Sequence, residues 1–297
     1  MTATIITLMI VLLLLGFPMM IPLMTAAFVG FFMSFGGLGQ METLIQQMMR
    51  GISPTALIAV PMFILAADIM TRGQSANRLI DMVMTFVGHI KGGLAVSTAV
   101  SCTLFGAVSG STQATVVAVG SPLRPRMLKA GYKDPFTLAL IINSSDIAFL
   151  IPPSIGMIIY GVVSQTSIAE LFIAGIGPGL LILAMFSAYC IIYAIVNKVP
   201  TEPKASWKER FVAFKDSIWG LLLIVVVMGG IYSGIFTPTE AAAMAAVYAF
   251  IIAVFVYKDL PLKRLPKVLL DSASMSAMLL YIITNAVLFS FLMTSEN

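Results

Sequence analysis

The sequence predicts an all-α polytopic membrane protein. Three observations carry this: 59% of the 297 residues are hydrophobic, only 10% are charged, and mean hydropathy is +1.02. Soluble domains carry about 25% charged residues, and a globular chain of this size could not hide so much apolar surface. The apolar runs also outlast the roughly 10 alternating residues of a barrel strand, so the spans are helices. The net charge of +4 is small, and no basic run is interleaved with aromatics, which argues against nucleic acid.

The apolar segments fall at 3–35, 55–71, 93–108, 112–123, 135–164, 169–196, 217–234, 238–257 and 268–293. A span needs about 20 residues rising about 1.5 Å each. Segment 3–35 is long and interrupted by Pro18 and Pro22. Taken as one crossing, it reads as a retained anchor, because no Lys or Arg precedes it and no small-residue cleavage motif follows near residue 20. Segment 55–71 closes with Asp68 four residues before Arg72, the spacing of a structural ion pair. The stretch 72–91 reads as an amphipathic helix lying on the membrane, with Leu79, Ile80, Val83 and Phe86 on one face and Arg78 and Asp81 off it. His89, the single histidine, falls in this surface stretch and points to a solvent or headgroup role.

Segments 93–108 and 112–123 are each too short to span. Together they read as a re-entrant hairpin, two half-helices meeting at Ser109-Gly110-Ser111-Thr112-Gln113. Unpaired backbone at membrane depth survives only where protein or a water-filled cavity satisfies it. Segment 135–164 is too long for one span, and Pro152-Pro153 breaks it. Cys102 and Cys190 lie in apolar surroundings without metal-ligand spacing and read as packing residues. Glu240, just after Pro238-Thr239, reads as a first-turn acid on a helix dipole.

Loop charges orient the chain. Lys and Arg collect in 121–134 (Arg124, Arg126, Lys129, Lys133), 197–216 and 258–267, whereas 165–168 and 235–237 carry none. The basic loops are therefore cytoplasmic. The expected organisation is scaffold helices and the amphipathic arm over 1–92, and the hairpin with the broken helix over 93–164. A connecting span and basic loop follow over 165–216, and a second inverted repeat begins over 217–297. The repeat rests on GFPMMIPLMTAAFVGFF (16–32) against GIFTPTEAAAMAAVYAF (234–250), which share a glycine-to-proline opening, a small-residue centre and an aromatic end. The offset from Pro18 to the hairpin tip, applied to Pro238, falls near residue 330. The second hairpin and second broken helix are thus expected beyond residue 297.

Two polar constellations carry chemistry. Hydroxyls and freed carbonyls at the tip suit Na⁺, a hard cation that takes several oxygens. The half-helix N-terminus at Thr112 suits a carboxylate, which assigns Thr112, Gln113 and Thr115 to substrate. In INSSDIAFLIPPSIG (142–156), neither Pro152 nor Pro153 can donate a backbone hydrogen bond, so carbonyls near 148–149 are released as further oxygen ligands. Asp146 in the same stretch is costly at mid-membrane if it faces lipid.

Taken together, PMFILAADIMTRG, GHIKGGLAVS, FGAVSGSTQATVVAVGS, IPPSIGMIIYGVVSQTSIAELFIAGIGPGLL and GIYSGIFTPTEAAAMAAVYAF resemble the large membrane subunit of tripartite ATP-independent periplasmic (TRAP) transporters. The resemblance runs through nearly the whole chain in order. It implies an elevator-type, Na⁺-driven importer of organic anions such as C4-dicarboxylates or sialic acids in the bacterial inner membrane. It also implies two partners, a small four-helix membrane subunit and a periplasmic substrate-binding protein, and no cofactor beyond the coupling ion. It places Na⁺ ligands at Ser109, Gly110 and Ser111. In the broken helix it places them at Ser144, Ser145 and the carbonyls around 148–154, Ala148 and Pro152 among them. The chain departs from the family at Thr115, where an acidic residue is frequent, at Ala148-Phe149 in place of Gly-Pro, and at Asp68 in place of Glu. An ion-coupled carboxylate carrier without a binding protein is the alternative. An intramembrane enzyme is disfavoured, because Ser109 has no base beside it and Asp68 and Asp146 belong near the cytoplasmic face.

Overall fold

The computed structural model describes residues 2–35 and 41–295. Its helices are α1 (Thr2–Leu14), α2 (Met20–Phe35), α3 (Met41–Ile52), α4 (Ala59–Arg72), α5 (Ser75–Val87), α6 (Gly93–Ser109) and α7 (Thr112–Lys129). They continue with α8 (Asp134–Ser145), α9 (Ile155–Ser164), α10 (Ile168–Val196), α11 (Trp207–Tyr232), α12 (Pro238–Ile251) and α13 (Leu265–Ser295). Among the described residues, 55–72, 168–196, 207–232, 238–256 and 262–294 are long and apolar enough to cross a membrane. The chain is an all-α polytopic membrane protein, as the composition predicts. It divides into two compact units, residues 1–57 with 273–297, and residues 58–272.

In the first unit, the segment expected to cross once is two helices. The chain reverses at Gly16, whose φ is +83°. The Gly16 and Phe17 amides return to the carbonyls of Leu13 and Leu12, a glycine-dependent helix stop. Pro22 falls in the first turn of α2, where a missing amide is tolerated. The second helix folds back so that Ile5 lies against Gly30. At about 1.5 Å per residue, each arm falls short of a hydrocarbon core about 30 Å thick. The unit's core is Ala27, Phe31, Leu44, Leu288 and Leu292.

The same stop recurs in the second unit. Gly234 has φ +73°, and the Gly234 and Ile235 amides return to Ile231 and Gly230. These two turns open the segments that the sequence pairs as repeats. After the second turn, Thr237 and Glu240 cap α12 reciprocally, which is the first-turn role expected of Glu240. The buried face of α12 is Ala241, Ala242, Ala245, Ala246 and Ala249. Small side chains let it lie close on α4.

Helix α6 is the centre of the second unit. Nearly every residue from Gly93 to Ser109 is buried, with α5, α7, α8 and α10 packed around it. Two expectations are corrected. The apolar face of the arm, Leu79, Ile80 and Val83, is buried, and α5 packs on α6 and α11. Amphipathicity reports one apolar face without saying whether lipid or protein covers it. Phe86 does stay exposed, with the Arg210 guanidinium 5.7 Å from its ring centre. The basic loop 197–216 is also shorter than expected. A reciprocal cap between Ser206 and Glu209 starts α11 at Trp207.

Ion pairs tie down several helix ends. Arg124 donates to both oxygens of Asp134 at 2.9 and 2.8 Å and holds that carboxyl below the usual carboxylate range. The expected pair of Asp68 and Arg72 forms at 3.1 Å. Arg72 also reaches Asp271 at 2.6 Å, and Ser272 donates to Asp68 at 2.9 Å. Cys102 and Cys190 are buried free thiols.

Gly106 sets a close helix approach in this unit. A Cβ there would stand 2.6 Å from the Ala148 Cβ and 3.0 Å from its Cα. Gly106→Ala should therefore lower stability by about 1–3 kcal/mol, the usual cost of overpacking. Gly177→Ala, where nothing lies within 4 Å, should leave stability unchanged or slightly higher. Thermal unfolding of the two variants in one detergent checks this; equal melting temperatures would contradict the packing described.

Candidate functional site

The hairpin ends where its sequence breaks. Gly110 caps α6 in the left-handed region, φ +62°, and its amide returns to the Gly106 carbonyl. Ser111 is extended, and its hydroxyl accepts the Ala114 amide at the start of α7. The tip is a compact web of oxygens. Ser109 Oγ and Thr115 Oγ1 are 3.1 Å apart, and both donate to the Ser111 carbonyl, at 3.3 and 2.8 Å. Ser111 Oγ donates to Gln113 Oε1 at 3.2 Å. Ser109 and Thr115 are fully buried. Gln113 is exposed. The buried Thr112 hydroxyl has no hydrogen-bond partner.

The second break answers the first. After α8 the chain tightens into a 3₁₀ turn over Asp146–Phe149. It then passes a cis Pro152-Pro153 bond and restarts as α9, where the buried Ser154 hydroxyl accepts the Met157 amide. The amides that would bond the Ala148 and Phe149 carbonyls belong to Pro152 and Pro153, which have none. The two breaks touch: the Ile155 amide donates to the Gly110 carbonyl at 3.3 Å. A Cβ on Gly110 would stand 2.9 Å from the Pro153 carbonyl oxygen. One turn before the tip, Gly106 lies against Ala148.

The structure therefore brings Ser109, Gly110, Ser111, Thr112 and Thr115 together, with 153–155 alongside. Ser144 sits one turn before Ala148, fully buried, and its hydroxyl has no partner. Ser145 is differently placed. Its hydroxyl donates to the Ile141 carbonyl at 2.7 Å and approaches Cys102 Sγ at 3.5 Å. Ala148 and Pro152 are buried. Asp146 is exposed and lies 12 residues beyond Asp134, about 18 Å along a helix at 1.5 Å per residue. At that depth a carboxylate needs protein or water beside it. Sequence reading missed Ser154 as a cap and the Ile155 amide as the joint. Serine after a proline pair was the available signal for the cap.

Chemically, the site joins the N-termini of α7 and α9, whose first-turn amides and dipoles favour an anion. It also joins the C-terminal ends of α6 and α8, whose carbonyls and hydroxyls favour a cation. The site is thus a short-armed helical hairpin packed on a discontinuous helix. Residues 6–297 match the family described as the tripartite ATP-independent periplasmic transporter, DctM component, and the chain belongs to that family. It is 68% identical over 294 residues to an ectoine TRAP transporter large permease protein of Halomonas elongata, covering 99% of this chain and 69% of that protein. It is 70% identical over 262 residues to an ectoine/5-hydroxyectoine TRAP transporter large permease protein of Ruegeria pomeroyi, covering 88% and 61%. A C4-dicarboxylate TRAP transporter large permease protein of Rhodobacter capsulatus is 49% identical over 270 residues, covering 86% and 61%. The chain thus spans 61% to 69% of the length of these relatives. It is a multi-pass protein of the bacterial inner membrane.

Gly110→Ala should separate the breaks. The left-handed backbone costs a non-glycine residue about 1–2 kcal/mol, and the added carbon meets the Pro153 carbonyl. We expect protection of the Ile155 amide in hydrogen exchange to fall at least about fivefold, with α10 unaffected. Unchanged protection at Ile155 would show that the joint does not depend on Gly110.

Proposed function

We propose that the chain carries the ion- and carboxylate-binding elements of a Na⁺-coupled TRAP importer for small carboxylate-bearing solutes. The carrying observation is the joint at Gly110 and Ile155, where two helix N-termini and two interrupted C-termini meet in a buried, hydroxyl-rich place. Na⁺ is cargo here, travelling with the solute. The oxygens offered to it are those of Ser109, Gly110, Ser111 and Ser144 with the released carbonyls of Ala148 and Phe149. The Pro152 carbonyl, in the same break, is a further candidate. Ser145 contributes more weakly, because its hydroxyl is engaged with Ile141. Thr112, Gln113 and Thr115 lie at the positive end of α7 and orient the solute carboxylate.

The solute reading follows from the tip and the relatives. No charged residue falls between Ser109 and Thr115, so the carboxylate meets amides and hydroxyls in place of a guanidinium. Ectoine, named for two of the relatives, is a zwitterion with a single carboxylate and suits an uncharged site. A small membrane subunit and a periplasmic binding protein complete the importer, and the hairpin with the broken helix moves as an elevator. The exposed Asp146 at depth supports a water-accessible path beside the site.

Uptake into proteoliposomes tests this, using the chain in a form spanning its relatives' full length together with both partners. Labelled ectoine should enter only down a Na⁺ gradient. Ser109→Ala and Ser144→Ala should each raise the Na⁺ concentration for half-maximal uptake by about tenfold, equivalent to about 1.4 kcal/mol. Uptake indifferent to Na⁺ would overturn the coupling. Na⁺-driven entry of succinate with none of ectoine would overturn the solute.

A further inference from the structure

An aromatic cluster of four rings lies away from the hairpin tip, and nothing in the transport reading uses it. Phe136 on α8 stacks on Tyr193 of α10, with ring centres 3.8 Å apart and planes at 12°. Tyr132 continues the stack 5.6 Å from Phe136, and Tyr189 lies 6.0 Å away on the other side. Beside this stack runs a groove of about 330 Å³, walled by Phe136, Leu140, Phe186, Tyr189 and Tyr193. Tyr189 remains 56% exposed, so the stack is open along the groove.

Both ends of the groove are polar. Lys133 and Asn197 stand at one end and Asn143 at the other. The first end is cytoplasmic, since it joins the basic turn before α8 to the basic loop after α10. From Lys133 to Asn143 is 10 residues of α8, about 15 Å, which is half of a hydrocarbon core about 30 Å thick. The groove therefore runs the depth of one leaflet. Tyr189 and Tyr193 line the wall between the cytoplasmic end and mid-membrane, with Tyr193 nearer the headgroups, where amphipathic rings are favoured.

Charge identifies the occupant. Among the described residues, Arg124 is paired with Asp134 and Arg126 with Asp81, whereas Lys133 and Lys198 form no ion pair. One uncompensated ammonium group, that of Lys133, thus lines the headgroup end of an apolar channel one leaflet deep, and a second, that of Lys198, directly follows the lining Asn197 in sequence. We infer that this groove is a binding site for an anionic phospholipid of the cytoplasmic leaflet. The phosphate lies between Lys133 and Lys198, and one acyl chain lies along Phe136, Phe186 and Tyr189. The inference is independent of the coupling ion and the transported solute.

Tryptophan quenching by brominated lipid tests it. The chain holds two tryptophans, Trp207 and Trp219. In a background with both changed to phenylalanine, Phe186→Trp reports from the groove, and Val225→Trp, on the exposed face of α11, reports from ordinary annular lipid. The full chain is reconstituted in phosphatidylcholine vesicles containing brominated phosphatidylglycerol or brominated phosphatidylcholine. At position 186 the phosphatidylglycerol should be preferred at least about fivefold, in line with the attraction of one basic residue for an anionic surface. No preference should appear at 225. Lys133→Gln with Lys198→Gln should bring the ratio at 186 close to one, and the paired arginine variant should keep it. If Phe186→Trp does not fold, Tyr189→Trp serves as the reporter. Equal quenching by both lipids at the groove, an equal preference at 225, or a preference that survives the double glutamine change would each overturn the site. Absence of quenching at 186 would overturn it too, in favour of a protein segment covering the groove.

Discussion

The hydrogen bond from the Ile155 amide to the Gly110 carbonyl is the joint on which the rest of this architecture depends. Inside a bilayer, a backbone group released from its helix costs several kcal/mol unless another partner is found. This chain has two such releases, at the hairpin tip and at the Pro152-Pro153 break, and it places them against each other. Glycine is required on one side because the backbone is left-handed there and the Pro153 carbonyl approaches closely. Proline is required on the other side because only its missing amide frees the Ala148 and Phe149 carbonyls. Each break would be a defect alone; together they make one polar cluster, with Ser109, Gly110, Thr115, Ser144 and Ser154 buried.

Packing around the joint explains why so small a chamber can be held in place. The hairpin's first arm is enclosed by α4, α5, α7, α8, α10 and α11, and Gly106 lets Ala148 approach to backbone distance. The tip itself is stiffened by the Ser109, Ser111 and Thr115 bonds. Ser144 and Thr112 differ from these, because their buried hydroxyls have no partner. Buried polar groups are rarely left unsatisfied, and such groups beside an oxygen-rich break fit a site that exchanges ligands.

Much of this was legible in the sequence for physical reasons. Apolar arms too short to span, split by Ser-Gly-Ser, leave few options in a membrane, and a proline pair inside an over-long segment leaves few more. The missed features are those decided by tertiary packing. The face of α5 reads the same whether lipid or α6 covers it. Segment 3–35 carries Pro18 and Pro22 in plain view, yet only the reversal at Gly16 separates a kinked span from two arms. The Ser206 and Glu209 pair was a readable start signal inside what looked like a loop. The Tyr132, Phe136, Tyr189 and Tyr193 stack could not be read, because Tyr132 in the turn before α8 and Phe136 on α8 gain meaning only when α8 meets Tyr189 and Tyr193 on α10.

The central claim is that the two breaks form one cation-binding place, and direct binding of radioactive Na⁺ tests it most simply. Ser97 supplies the internal control: it is buried on α6 with an unpartnered hydroxyl, like Ser144, but lies three turns from the tip. In the purified full-length protein, Na⁺ binding should be saturable, weakened by Ser109→Ala and Ser144→Ala, and unaffected by Ser97→Ala. Equal binding by all three variants and the parent, or equal loss in all three, would contradict the account.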